Sequence, residues 1–369
     1  MKRLLLMCGV LLAIFIPVVA FGAEEEYVEE PIVIFTYNEA LALALEDIPA
    51  LQELENRIEE LEEELYYFNR DFRNLRWQLS ETAINELRRQ QTELEREIEH
   101  LSLDAIIIRL RREQSLRNNL VANANAAIDI EIAEAALVLT EEQLRRTGLL
   151  HRFGFASASE LRIAQQRLTQ EQMSLDNLQV AQTNALSNLN HLLGQPSHQQ
   201  TYVEFERELP EIPENLISHI PALVAQAPTI RQMQFNVYRR QEERERHLRI
   251  YRDRGERPRR DCEICEALQF AYDIVSLEQS TAMRAMETAL RTAHSNLEQM
   301  HTQEAAARLR LTQAEESLQT AETNLDLGRV TQFDVDMALY AIFNAEQAIE
   351  RILNLQWGMV LLLGNPVLL

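Results

Sequence analysis

No proline occurs between Pro49 and Pro196, and no glycine between Gly22 and Gly148. Between those breakers the chain is rich in Leu, Ala, Glu, Arg and Gln, residues that cost little backbone or rotamer entropy in a helix. Such a stretch folds as long helices broken by a few sharp turns, so the expected class is all-α, built of long antiparallel hairpins with little or no β-structure.

The apolar pattern gives those helices a packing face. Leu51, Leu54, Ile58, Leu61, Leu65, Phe68, Phe72, Leu75 and Leu79 follow alternating steps of three and four, an a/d seam over four heptads. The next series, Ile84, Leu87, Leu94, Ile98 and Leu101, is out of phase with it. Ser80 and Thr82 stand at the break and can cap a new helix. The economical reading is a tight helix–turn–helix near residue 80 with antiparallel seams; a stutter in one continuous helix is the alternative. A helix from about residue 82 to Arg152 is then roughly 105 Å long at 1.5 Å per residue.

The plan is used twice. Pro49 and Pro228, Gly154 and Gly328, and Gly194 and Gly364 stand in matching contexts, 179, 174 and 170 residues apart. The second long helix falls at about residues 263 to 326, roughly 95 Å. Residues 37–196 and 221–369 are read as the two repeats, with 24–36 as a short extended segment and the proline-bearing 197–220 as the connector.

Lys2 and Arg3, the apolar stretch Leu4 to Val19 and the small-residue region Ala20-Phe21-Gly22-Ala23 read as a secretory signal over residues 1–23; an uncleaved anchor is the alternative. The formal charge of −22 argues against a nucleic-acid partner, which a polyanion would repel.

Two tandem halves, each with an Ala-Leu-rich opening, a Gly-x-x-[Ser/Thr]-x-x-[Asp/Glu]-[Leu/Val] turn between long helices and a closing Leu-Leu-Gly, resemble the TolC-like outer-membrane efflux protein family over about residues 37 to 369. The resemblance implies a homotrimer whose helices form a hollow α-barrel in the periplasm, with inserted strands forming a β-barrel in the outer membrane. It further implies that helix–turn–helix tips meet a periplasmic adaptor (membrane-fusion) protein, completing a tunnel to an inner-membrane pump. Those tips are here Gly154, Ser157 and Glu160, with Gly328, Thr331 and Asp334. Glycine permits the reversal, and the hydroxyl and carboxylate can cap the following helix, a role that needs no partner.

The chain departs from that pattern where the membrane strands belong. A barrel strand needs about ten residues alternating apolar and polar. Residues 77–89 have a helical period instead, and 251–261 are too charged to face lipid. The α-barrel parts are therefore expected without the β-barrel, which leaves membrane contact open.

Arg239 to Arg260 holds ten arginines against five acids. Arg252, Arg254, Arg257, Arg259 and Arg260 can contact an anionic surface, or can belong to a solvated turn laced with ion pairs. Cys262-Glu-Ile-Cys265 can close as a small disulfide in an exported chain, and zinc would need ligands that the local sequence does not offer. His191 with His198, and His294 with His301, read as surface histidines. Glu59, Glu60, Glu62, Glu63 and Glu64 flank the first seam, as a solvated face or an electronegative lumen. No HExxH, phosphate-cradling glycine loop or G-x-S-x-G elbow is present.

The expected function is therefore a component of an exported efflux or secretion conduit, in the periplasm or outer cell envelope, with no enzymatic chemistry and no cofactor. The alternative is an exported structural coiled-coil protein of the envelope without transport activity.

Overall fold

The computed structural model describes residues 32–46, 48–204, 216–255 and 262–364. The expected signal at 1–23, most of the segment at 24–36, part of the connector, and Arg257, Arg259 and Arg260 lie outside the described residues. Within them the element order is β1 (Val33–Thr36), α1 (Tyr37–Glu46), α2 (Pro49–Leu75), α3 (Glu81–Arg152), α4 (Ala158–Leu192), β2 (Thr201–Glu204), α5 (Leu216–Gln226), α6 (Pro228–Asp253), α7 (Glu263–Asp326) and α8 (Gln332–Gly364). The all-α expectation holds.

The phase break near residue 80 is a turn and not a stutter. α2 ends at Leu75, a single 3-10 turn spans Arg76–Gln78, and Ser80 caps α3 by accepting the Ala83 N–H at 3.4 Å. α2 then packs along α3, burying Leu51 and Leu61 while the glutamates beside the seam stay exposed. α3 and α7 run 72 and 64 residues, close to the expected lengths.

The helices fall into two sets of similar lengths in the same order, α1–α4 and α5–α8. In each, the long helix is flanked by both shorter partners, and α3 also packs on α6 and α8 of the other repeat. Cross-repeat polar pairs follow one line: Arg96 with Glu242 at 2.7 Å, Arg231 with Glu99, Gln347 with Glu131 at 2.9 Å and Arg351 with Asp129. Because residues 93–104 of α3 run antiparallel to 231–246 of α6, the α2–α3 and α6–α7 turns lie at one end. The α3–α4 and α7–α8 turns share the other.

The densest core lies midway along the long helices. One cluster joins Ile220 and Val224 of α5, Ile230 of α6, Met286 and Leu290 of α7, and Leu363 of α8. The other joins Ala40 and Ala44 of α1, Leu116 and Leu120 of α3, Leu189 of α4, Val203 of β2, and Trp357 of α8. Each fully buried aliphatic chain contributes about 1.5–3 kcal/mol. Elsewhere each helix buries only a stripe.

Two features of the connector differ from its reading as a plain linker. β2 pairs in parallel with β1, Val33 opposite Thr201 and Thr36 opposite Glu204. α5 begins at Leu216, within the segment read as connector, and carries Pro221 in its interior. Pro221 forfeits one backbone bond, and burial of Leu216, Ile220 and Val224 on one face offsets it.

Candidate functional site

The two tips are built by local chemistry. α3 stops because Gly154 takes φ of +79°, which turns the chain back so that the Phe155 N–H reaches Leu150 O at 2.8 Å. His151 Nδ1 lies 2.9 Å from Ala156 O and braces the same loop. Ser157 then starts α4 with a full capping box: its Oγ accepts the Glu160 N–H at 3.2 Å, and its own N–H donates to Glu160 Oε2 at 2.6 Å. The second tip is built on the same plan with half of that capping box. Gly328 has φ of +67°, the Arg329 N–H reaches Asn324 O at 2.8 Å, and Thr331 donates to Asp334 Oδ2 from its N–H at 2.8 Å and its Oγ1 at 2.7 Å. The structure thus gives Ser157, Glu160 and Asp334 capping roles, with the Thr331 hydroxyl donating to the Asp334 carboxylate.

These bonds favour the ionised carboxylates. The backbone N–H of Ser157, then its hydroxyl, holds the Glu160 carboxyl below its ordinary value, and the hydroxyl of Thr331, then its N–H, does the same for Asp334. A carboxyl whose folded pKa is lowered adds stability above its unfolded value and loses it as pH falls through the folded one. Hydrogen exchange corrected for intrinsic rates should therefore show protection at residues 157–160 and 331–334 constant at neutral pH and falling below about pH 4. Glu160→Gln, which keeps the geometry without the charge, should flatten that dependence at the first tip.

Arg146 of α3 binds the two tips into one surface. Its Nη1 donates to Thr331 Oγ1 at 3.2 Å and its guanidinium lies 5.5 Å from the centre of the Phe333 ring. Around this contact the end of the molecule is apolar and open: Phe153 is 72% exposed, Phe155 81% and Leu327 59%. Arg146 and the two phenylalanines were not singled out in the sequence. A Gly-flanking Phe-x-Phe was the available signal, whereas Arg146 acts on a residue 185 positions away.

At the opposite end, Arg252 and Arg254 are exposed around the close of α6, where Gly255 at φ +68° turns the chain. Cys262 and Cys265 are joined as a disulfide in the first turn of α7. His247 on α6 lies beside them, with Nε2 3.7 Å from Cys262 Sγ. A groove of about 570 Å³ between α3 and α6 is lined by Arg96, His100, Tyr238, Glu242 and Arg246 among others. Its Arg96 and Glu242 pair with each other at 2.7 Å. Among the described residues no helix is long and apolar enough to cross a membrane.

No protein-family model matches the sequence, and no curated protein matches it either. Solved structures do. The outer membrane protein VceC from Vibrio cholerae aligns over 90% of this chain and 95% of its own, with a TM-score of 0.58 at 14% identity. The CmeC outer membrane channel of Campylobacter jejuni aligns over 96% and 93%, with a TM-score of 0.63 at 12% identity. The open state of the MtrE outer membrane channel of Neisseria gonorrhoeae aligns over 90% and 88%, with a TM-score of 0.54 at 12% identity. This chain has the TolC-like channel fold.

The resemblance read from the doubled turns is thus confirmed in three dimensions, as a likeness of fold. In the TolC-like fold the described chain differs at the slots expected for membrane strands. The first slot is the helical turn around Ser80, and the described part of the second, Tyr251–Gly255, is the end of α6 and its turn. The described residues contain two strands of four residues each, shorter than the ten or so that a barrel strand needs.

Proposed function

We propose that this chain is a component of an efflux or secretion conduit of the cell envelope, assembled as a trimer of helical hairpins around a lumen and docking a periplasmic adaptor through its paired tips. The adaptor would connect it to an inner-membrane pump, which would select the cargo. The observation that carries this reading is the tip surface: two capped turns from different repeats, tied by Arg146, presenting Phe153, Phe155 and Leu327 to solvent. Exposed aromatics on a rigid base suit a binding hot spot, since the contact area is already ordered before the partner arrives. The fold shared with outer membrane channels supports the conduit, and the unburied apolar stripes of the long helices support self-association.

The test uses Phe153→Ala with Phe155→Ala, changes at exposed positions that leave helix caps and core intact. The double variant should keep its helicity and lose at least tenfold in affinity for a periplasmic adaptor protein, as two aromatic anchors each costing about 1–2 kcal/mol would require. Unchanged capture would overturn tip docking. Light scattering of the unmodified protein should give three times the chain mass; a stable monomer would instead favour the structural coiled-coil alternative.

At the other end, Arg252 and Arg254 would face an anionic envelope surface. Vesicles containing anionic phosphatidylglycerol should pellet the protein at low salt and release it at high salt, and Arg252→Gln with Arg254→Gln should weaken that binding.

A further inference from the structure

The end opposite the tips carries three strong metal donors that the proposed conduit does not use. Cys262 caps α7, Cys265 lies one turn on, and His247 projects from the antiparallel α6. One donor atom from each falls within a sphere in which all three lie no more than 4.8 Å apart. A tetrahedral zinc ion with Zn–S of about 2.3 Å and Zn–N of about 2.05 Å separates the sulfur from the nitrogen by about 3.6 Å. His247 Nε2 stands 3.7 Å from Cys262 Sγ. All three side chains are half-buried, so the donors are partly shielded yet reachable.

We propose that Cys262, Cys265 and His247 form a binding site for a divalent cation of the zinc class, filled when the two cysteines are thiols, the state in which the chain is synthesised. The donor set, two thiolates and an imidazole, selects borderline and soft ions over Mg²⁺ or Ca²⁺. Two thiolates neutralise a divalent ion, so the filled site adds no net charge to an arginine-rich region. The two thiol protons leave as the ion binds. The Cys265 N–H, 3.2 Å from Cys262 Sγ at the start of a 64-residue helix, favours the thiolate that the metal needs. Tyr251 stacks edge-on against His247 at 5.4 Å and fixes the imidazole plane. Three protein donors leave the fourth tetrahedral position to water or another small ligand. The disulfide is the alternative fate of the same sulfurs, so oxidation and metal occupancy exclude each other.

The test titrates Cd²⁺, then Zn²⁺ as competitor, into the full chain freed of metal and reduced with a phosphine. A thiolate-to-cadmium absorption should saturate at about one equivalent per chain, and Zn²⁺ should displace it and slow alkylation of both cysteines. His247→Gln, at a half-buried position near the end of α6, should keep the helicity and weaken Cd²⁺ more than roughly tenfold, as loss of a ligand exceeds loss of the partners that merely orient one. Cys262→Ser with Cys265→Ser should abolish the absorption, and the oxidised protein should show none. Absence of the band in reduced protein, equal affinity in His247→Gln, or a band in oxidised protein would each overturn the assignment.

Discussion

Leu290→Ala should destabilise the protein by about 2–5 kcal/mol, the usual range for a fully enclosed leucine. Leu290 is wholly buried on α7, among Met286, Ala293 and Leu297 of its own helix and the buried faces of α5, α6 and α8. The truncation removes transfer energy and leaves a cavity. Three of the walls are long helices whose positions are set elsewhere along their length, so collapse into the space is restricted. Leu309 on the same helix is 60% exposed, and Leu309→Ala should change stability by no more than about 0.5 kcal/mol. Urea unfolding followed by circular dichroism at one fixed protein concentration checks both, because an assembling protein gains stability with concentration. Equal midpoints for the two variants would mean that the mid-length cluster is not the core of the fold.

Asn190→Ala should be the most damaging polar substitution. Asn190 is fully buried on α4, and its Nδ2 donates to the carbonyls of Pro196, Ser197 and Gln199 at 3.1, 3.4 and 2.7 Å. One amide thereby closes the loop that follows Gly194 and delivers β2 to β1. Alanine removes the amide that joins these carbonyls, while Pro196 O keeps the Gln199 N–H at 3.0 Å, at a cost of about 0.5–1.5 kcal/mol for each bond lost. Asn190→Asp should be worse, since a carboxylate would face the same oxygens with no proton to give. Hydrogen exchange should show the loss concentrated at residues 33–36 and 201–204, with the distant tips unchanged. Uniform loss of protection would indicate that Asn190 supports the whole bundle and not this loop.

Much of the fold was legible because it is made by interactions over three or four residues. Ser80 and Ser157 cap helices through groups on the next turn, Asp334 reaches back to the Thr331 N–H, and Gly154 and Gly328 end helices by a backbone conformation that glycine adopts freely. The seam from Leu51 was a one-dimensional record of a two-helix contact. The doubled turns gave the repeat, and the repeat gave the likeness to outer membrane channels at a level of identity, 12–14%, where the individual residues no longer agree.

The remainder depended on separations that local pattern does not encode. Residues 33 and 201 form a strand pair because α1 and the end of α4 pack on a shared core. Arg146 reaches the second tip, and Arg112 donates to Ala44 O at 2.9 Å and Leu192 O at 3.2 Å, tying off the ends of two helices. His247 was absent from the sequence reading of the cysteines because it stands fifteen positions before Cys262; the antiparallel return of α7 along α6 puts it beside the sulfur. By itself the sequence determined the long helices and the turns that end them, since caps, glycines and heptads act within one or two turns. Which surfaces those helices bring together was decided by the tertiary structure, because burial and donor geometry exist only once distant segments share one core.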